Sequence, residues 1–157
     1  MVHALSEIRR VLVPDGILID LRPVLDHWQI EVASAREVRE TGRMQDFPIG
    51  LADDEAANQN MAEAEQKGWF VRESEAFFPL YYSWDSASEM EEWIKEEWHD
   101  FIGLDEETRR ATRSAWALGD ADSQVRVRVK MLITRWRKAW RIDTSYSQSN
   151  PPHNKNL

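Results

Sequence analysis

Residues 124–137, QVRVRVKMLITRWR, constrain the fold more than any other stretch of the chain. Val125, Val127, Val129, Met131 and Ile133 occupy alternate positions, with Arg126, Arg128, Lys130, Leu132, Thr134 and Trp136 between them. Alternation of period two sends the two sets to opposite faces of a strand. The second face turns from basic to apolar partway along, which predicts cover over its later portion only.

The remaining elements read in order around that strand. Residues 4–12 predict a helix, because Leu5, Ile8, Val11 and Leu12 form one apolar face. Pro14-Asp15-Gly16 stops it in a tight turn, with Gly16 free to take positive φ. Residues 17–21 predict a short strand, apolar on both faces until Asp20, as for a strand buried between helix layers. Residues 28–32 and 37–47 are extended candidates, with a hairpin turn near Ala33, Ser34 and Ala35. Asp53 or Asp54 caps a polar helix that runs to Lys67 and ends at Gly68. Residues 69–84 predict a long strand region, in which Pro79 marks a bulge, an edge or a break. Asp85 and Ser86 cap a helix over 87–101, and Asp105 caps another to Leu118. We find no internal repeat.

Composition removes several classes of function. The chain has 157 residues, 42% of them hydrophobic, which suffices for one compact domain. The net charge of -8 disfavours nucleic acid as a partner, since phosphate repels it. Without cysteine there are no disulfides, thiolate ligands or Cys nucleophile. No apolar run is long enough to span a bilayer and no secretory signal is visible, so no membrane partner is expected and a cytoplasmic location is. Eight tryptophans stand at 28, 69, 84, 93, 98, 116, 136 and 140. Core and interface packing is the preferred account of them, ahead of an aromatic ligand pocket.

Ala4, Leu5, Glu7, Ile8, Arg10, Val11, Leu12, Pro14, Gly16 and Asp20 form an ordered string: helix, Pro-x-Gly turn, and a short apolar strand ending in Asp. This string resembles the passage into the fifth strand of class I S-adenosylmethionine-dependent methyltransferases. Many members have Gly where Asp15 stands, and Asp also tolerates left-handed geometry. The resemblance is tight over residues 3–20 and extends loosely to Lys138. It implies a partial Rossmann-like α/β fold, a small mixed sheet of the fifth, seventh and sixth strands with flanking helices. Residues 125–136 would be the seventh strand, antiparallel between the fifth and the sixth. Residues 1–142 would form one C-terminal methyltransferase-like domain, with a helical insertion at about 87–118 and a disordered tail at 143–157.

The family's cofactor needs a glycine-rich turn after the first strand and an acidic residue for the ribose. The six glycines, at 16, 42, 50, 68, 103 and 119, lie far apart, and no G-x-G follows a strand. No residue is therefore assigned to a cofactor, and none is expected for this chain alone. S-adenosylmethionine enters only if an N-terminal half completes the fold. The expected function is a methyltransferase-like module, non-catalytic by itself, serving as an interaction or structural module or a truncated remnant. The alternative is the substrate-side part of a split or truncated S-adenosylmethionine-dependent methyltransferase. Asp20, Arg22 and His27 are the substrate-side candidates, because ligands bind beyond the carboxyl ends of strands and histidine acts as a base near neutral pH. An Asp–Arg contact and an exposed histidine is the simpler account of all three. Catalytic residues are not assigned. Glu96 and His99 stand i, i+3 as in half of a di-iron site, but no second such pair exists, so no metal is expected. The acidic run at 89–100 reads as a solvated helix face, and the basic residues Arg126, Arg128 and Lys130 would meet it or bind an anion. The fifth strand would be left with an open apolar edge, which predicts a homodimer or a complementary chain carrying the N-terminal half.

Overall fold

The computed structural model describes residues 2–140. The expected tail at 143–157 lies outside them. The elements are α1 (Val2–Val11), β1 (Ile17–Pro23), β2 (Gln29–Ala33), β3 (Val38–Arg43), β4 (Gln45–Asp46), α2 (Pro48–Gln66), β5 (Phe70–Trp84), α3 (Ala87–Trp93), a π-helical turn (Ile94–Trp98), β6 (Ile102–Gly103), α4 (Glu106–Ala117) and β7 (Gln124–Lys138).

β7 is the axis of the sheet. β5 pairs along its whole length, from Phe70 opposite Lys138 to Trp84 opposite Val125. That leaves one other edge, which two strands share. β1 pairs with residues 131–137 and β2 with residues 124–128. β3 then pairs with β2. All of these pairings are antiparallel. The expected partial Rossmann-like sheet of three mixed strands is therefore incorrect. The chain forms a mixed α/β fold around a five-stranded, antiparallel-paired sheet. The reason is length. β7 has 15 residues and β1 only 7, so half of that edge stays free for the hairpin β2–β3. β1 and β5 both run opposite to β7, and so in the same direction, but they are not neighbours.

Alternation divides the two faces. Val125, Val127, Val129 and Met131 join Trp28, Ile30, Val32, Met44, Met90, Ile94, Trp98 and Ile102 in one core. On the opposite face Trp136 packs with Leu5, Met61, Ala64 and Phe70, with Ile8, Leu12 and Leu18 beside them. The first core lies under α3 and α4, the second under α1 and α2. Each core thus covers one face over one half of β7. Buried and half-buried tryptophans serve these cores. Trp28, Trp84 and Trp98 meet mostly edge to face, at 5.4 Å between Trp28 and Trp98 and 6.1 Å between Trp84 and Trp98.

Several boundaries differ from expectation for local reasons. α2 begins at Pro48 and not at Asp53, since proline at the first helical position already has helical φ and lacks only an amide that would be unpaired anyway. Gly68 does end it, at φ +64°. In the turn after α1 the left-handed residue is Asp15 (φ 58°), while the Gly16 amide donates to Val13 O at 2.9 Å. The helix expected over 87–101 changes to the π-helical turn at Ile94.

Asp105 caps α4 as its position predicts, accepting from the Thr108 amide at 2.7 Å. That bond holds the Asp105 carboxyl below the usual carboxylate range. A depressed folded value contributes stability above the unfolded value, about pH 4, and the contribution is lost as pH falls through the folded one. The melting-temperature gap between the native chain and Asp105→Ala is therefore expected to be constant near neutral pH and to close below about pH 4. A gap independent of pH would contradict the cap.

Candidate functional site

Asp20 and Arg22 project from β1 on the face that carries Leu18 and Trp136, because residues directly opposed in a pair share a face. There Arg22 Nε lies 3.4 Å from Asp20 Oδ2, and its Nη2 donates to Asn58 Oδ1 at 2.5 Å. Arg22 Nη1 lies 3.8 Å from Asp54 Oδ1, and the other Asp54 oxygen accepts from the Leu25 amide at 2.7 Å. This network ties the end of β1 to α2. The two residues line a cavity of about 230 Å³ beneath α2 that His27 does not reach. His27 lines a different cavity, beside Arg43, Phe77, Arg128 and Lys130. The three candidates thus divide into a fastening pair and a separate histidine.

The basic residues of β7 do not meet the acidic helix as expected. Arg126 Nε donates to Glu31 at 2.6 Å and Lys130 Nζ to Asp26 at 2.7 Å. Lys130 holds the Asp26 carboxyl below its usual range. Arg135 and Arg137 both engage Glu73. The acidic segment finds other partners, with Glu91 bound by Arg109 and Arg113 of α4. His99 pairs with Asp100 at 3.1 Å. Among the described residues no group of His, Asp or Glu is placed to hold a metal, and no helix is long and apolar enough to cross a membrane.

Exposed apolar side chains gather at the β1 end of the sheet. Ile19 opposes Arg135, which opposes Ser74, and Leu21 opposes Ile133, which opposes Ala76. This face is the continuation of the one that carries Val125 to Met131, but α3 and α4 stop short of it, and none of these six residues belongs to either core. Ile19 is 49% exposed, Leu21 55% and Val71 52%. Among the described residues the outer edge of β1 has no strand beside it.

No family model, curated protein or solved structure matches the chain.

The sequence pattern had signalled part of this surface. β1 reads ILIDL, apolar toward both faces, and only the Leu18 side is covered. The cationic row on β7 was also legible. Its neighbours Arg43 and Phe77 were not, because they arrive from β3 and β5 through pairing alone.

Proposed function

We propose that the chain is a methyltransferase-like docking module, non-catalytic by itself, which joins a partner polypeptide along β1. The observation that carries this reading is a strand written for burial on two faces and covered on one. Ile17, Ile19 and Leu21 face outward from α1 and α2, with Ile133, Val71 and Ala76 beside them. Fully burying an Ile or Leu side chain is worth roughly 1.5–3 kcal/mol, so covering this group would give a partner substantial affinity. The free strand edge supplies unpaired N–H and C=O groups for β-augmentation. The partner is a second copy or a complementary chain whose strand lies against β1 and whose helix covers Ile19 and Leu21.

A second reading has one specific observation in its favour. β7 runs antiparallel between two strands of common direction, β1 and β5. The family resemblance gives its fifth, seventh and sixth strands the same relation. On that reading the chain is the substrate-side part of a split S-adenosylmethionine-dependent methyltransferase, and the partner brings the cofactor-binding half.

Sedimentation at low micromolar concentration tests the docking. A dimer, or a complex with a co-expressed neighbouring chain, is the expected result. Leu21→Lys should weaken it by at least about tenfold, the equivalent of about 1.4 kcal/mol. A folded monomer that takes up no partner, with Leu21→Lys indistinguishable from the native chain, counts against the proposal. Titrating S-adenosylmethionine against the complex then separates the two readings, since only the split enzyme binds it.

A further inference from the structure

Arg43, Gln29, Arg128 and Tyr81 are successive cross-strand partners through β3, β2, β7 and β5, so they share one face. It is the face opposite Ile19 and Leu21. Here a cavity of about 360 Å³ is lined by Asp26, His27, Arg43, Phe77, Arg128 and Lys130, among others. That volume is at the small end of ligand sites, which span about 300–1,000 Å³.

Its charge is positive within a chain of net charge -8. Lys130 is engaged by Asp26, and Arg43 Nε lies 3.2 Å from Glu40. The Arg128 side chain has no hydrogen bond or ion pair to any described residue. Its guanidinium stands on a paired strand, between Gln29 and Tyr81, and offers a planar fork suited to a carboxylate or phosphate. Phe77 is 54% exposed and supplies a flat apolar wall, with Lys130 Nζ 4.9 Å from its ring centre.

His27 adds a directed acceptor. Its φ of +48° is a left-handed backbone that non-glycine residues seldom adopt. The conformation is fixed by the His27 amide donating to Asp46 Oδ2 at 2.9 Å and by Nδ1, 3.2 Å from Met44 O. A carbonyl only accepts, so in the neutral ring Nδ1 carries the proton and Nε2 has a free lone pair. Held strain of this kind gathers at ligand sites.

We infer that this cavity binds a small organic anion with a flat apolar body. Arg128 takes the carboxylate or phosphate, Phe77 takes the body, and His27 Nε2 accepts from a ligand hydroxyl or N–H. The site stands independently of docking at β1, and Leu21→Lys should leave it intact.

The test titrates phenyl phosphate and benzoate into the full chain, with inorganic phosphate and benzyl alcohol as the separated halves, following backbone amide shifts. At least one aromatic anion is expected to shift Gln29, Phe77 and Arg128 and to bind about tenfold more tightly than either half. Arg128→Gln should weaken that binding by about tenfold with an unchanged melting temperature, since the side chain is exposed and unpartnered. Phe77→Ala should weaken the aromatic anions and leave inorganic phosphate unaffected. The assignment is overturned by no saturable shift with either anion, by shifts elsewhere in the molecule, or by Arg128→Gln at native affinity. Equal affinity for phenyl phosphate and inorganic phosphate overturns the part given to Phe77.

Discussion

Trp28→Ala is expected to destabilise the chain by about 3–5 kcal/mol, the largest effect of any single truncation considered. Trp28 is 3% exposed and sits where the loop from β1 enters β2. Its ring meets Trp98 at 5.4 Å and Phe101 at 6.5 Å, both edge to face. Its Nε1–H donates to Val24 O at 2.8 Å, which folds the loop back on its own start. Alanine removes all three contacts and leaves a hole that its neighbours, fixed on the π-helical turn and the segment after it, cannot close. Trp28→Phe keeps most of the apolar volume and loses the hydrogen bond, so its cost should be nearer about 1–2 kcal/mol. Urea unfolding with an unchanged m-value measures both. Equal losses for the two variants would show that the hydrogen bond, and not the packing, is what matters. Because His27 precedes Trp28, the alanine variant should also lose anion binding at the adjoining cavity.

Arg126→Met is expected to cost about 3 kcal/mol, and the double variant with Glu31→Leu should recover most of it. The Glu31 side chain is 5% exposed and accepts from Arg126 Nε at 2.6 Å. Removing the guanidinium leaves a carboxylate buried without its counter-charge, whereas removing both charges leaves an apolar cross-strand pair. Arg126 also lies over the Tyr81 ring at 4.6 Å, so part of the loss is packing that methionine retains. The exposed pair Arg72–Glu75, 49% and 40% exposed, is the control. Breaking it should change stability by no more than about 0.5 kcal/mol. A double variant as unstable as Arg126→Met would mean that Glu31 is not held by charge pairing.

The docking and ligand proposals occupy opposite faces of one sheet, which makes them separable. Ile19 and Leu21 lie with Arg135 and Ile133, whereas Arg128 and Lys130 lie on the alternate positions of the same strand. A substitution that harms both functions would have to act through the fold, and an unchanged melting temperature excludes that.

Much of the secondary structure was legible from local pattern. The alternation at 124–137 gave β7, and Asp105 and Ser86 marked the starts of α4 and α3 because their side chains accept from amides three residues on. The α1–turn–β1 unit followed from apolar spacing and a Pro-Asp-Gly stop. The π-helical turn left no such mark, since Trp93, Ile94 and Trp98 fit an ordinary helical face; in the fold Trp98 meets Trp28 and Trp93 meets Tyr82 there. Of the candidate site residues, Asp20 falls in the middle of β1 and Arg22 near its end, and their partners Asn58 and Asp54 come from α2.

The sequence by itself determined where strands and helices form and which side chains alternate, because propensity, capping and periodicity act between residues a few positions apart. Only the tertiary structure decided that β1 and β2 divide one edge of β7, that Ile19 and Leu21 stay uncovered, and that His27 lines a cavity with Arg128 and not with Asp20. Those outcomes depend on strand pairing between residues about a hundred positions apart, as Arg128 is from Gln29. A strand's own pattern fixes its two faces but carries no record of the neighbour that will lie along its edge.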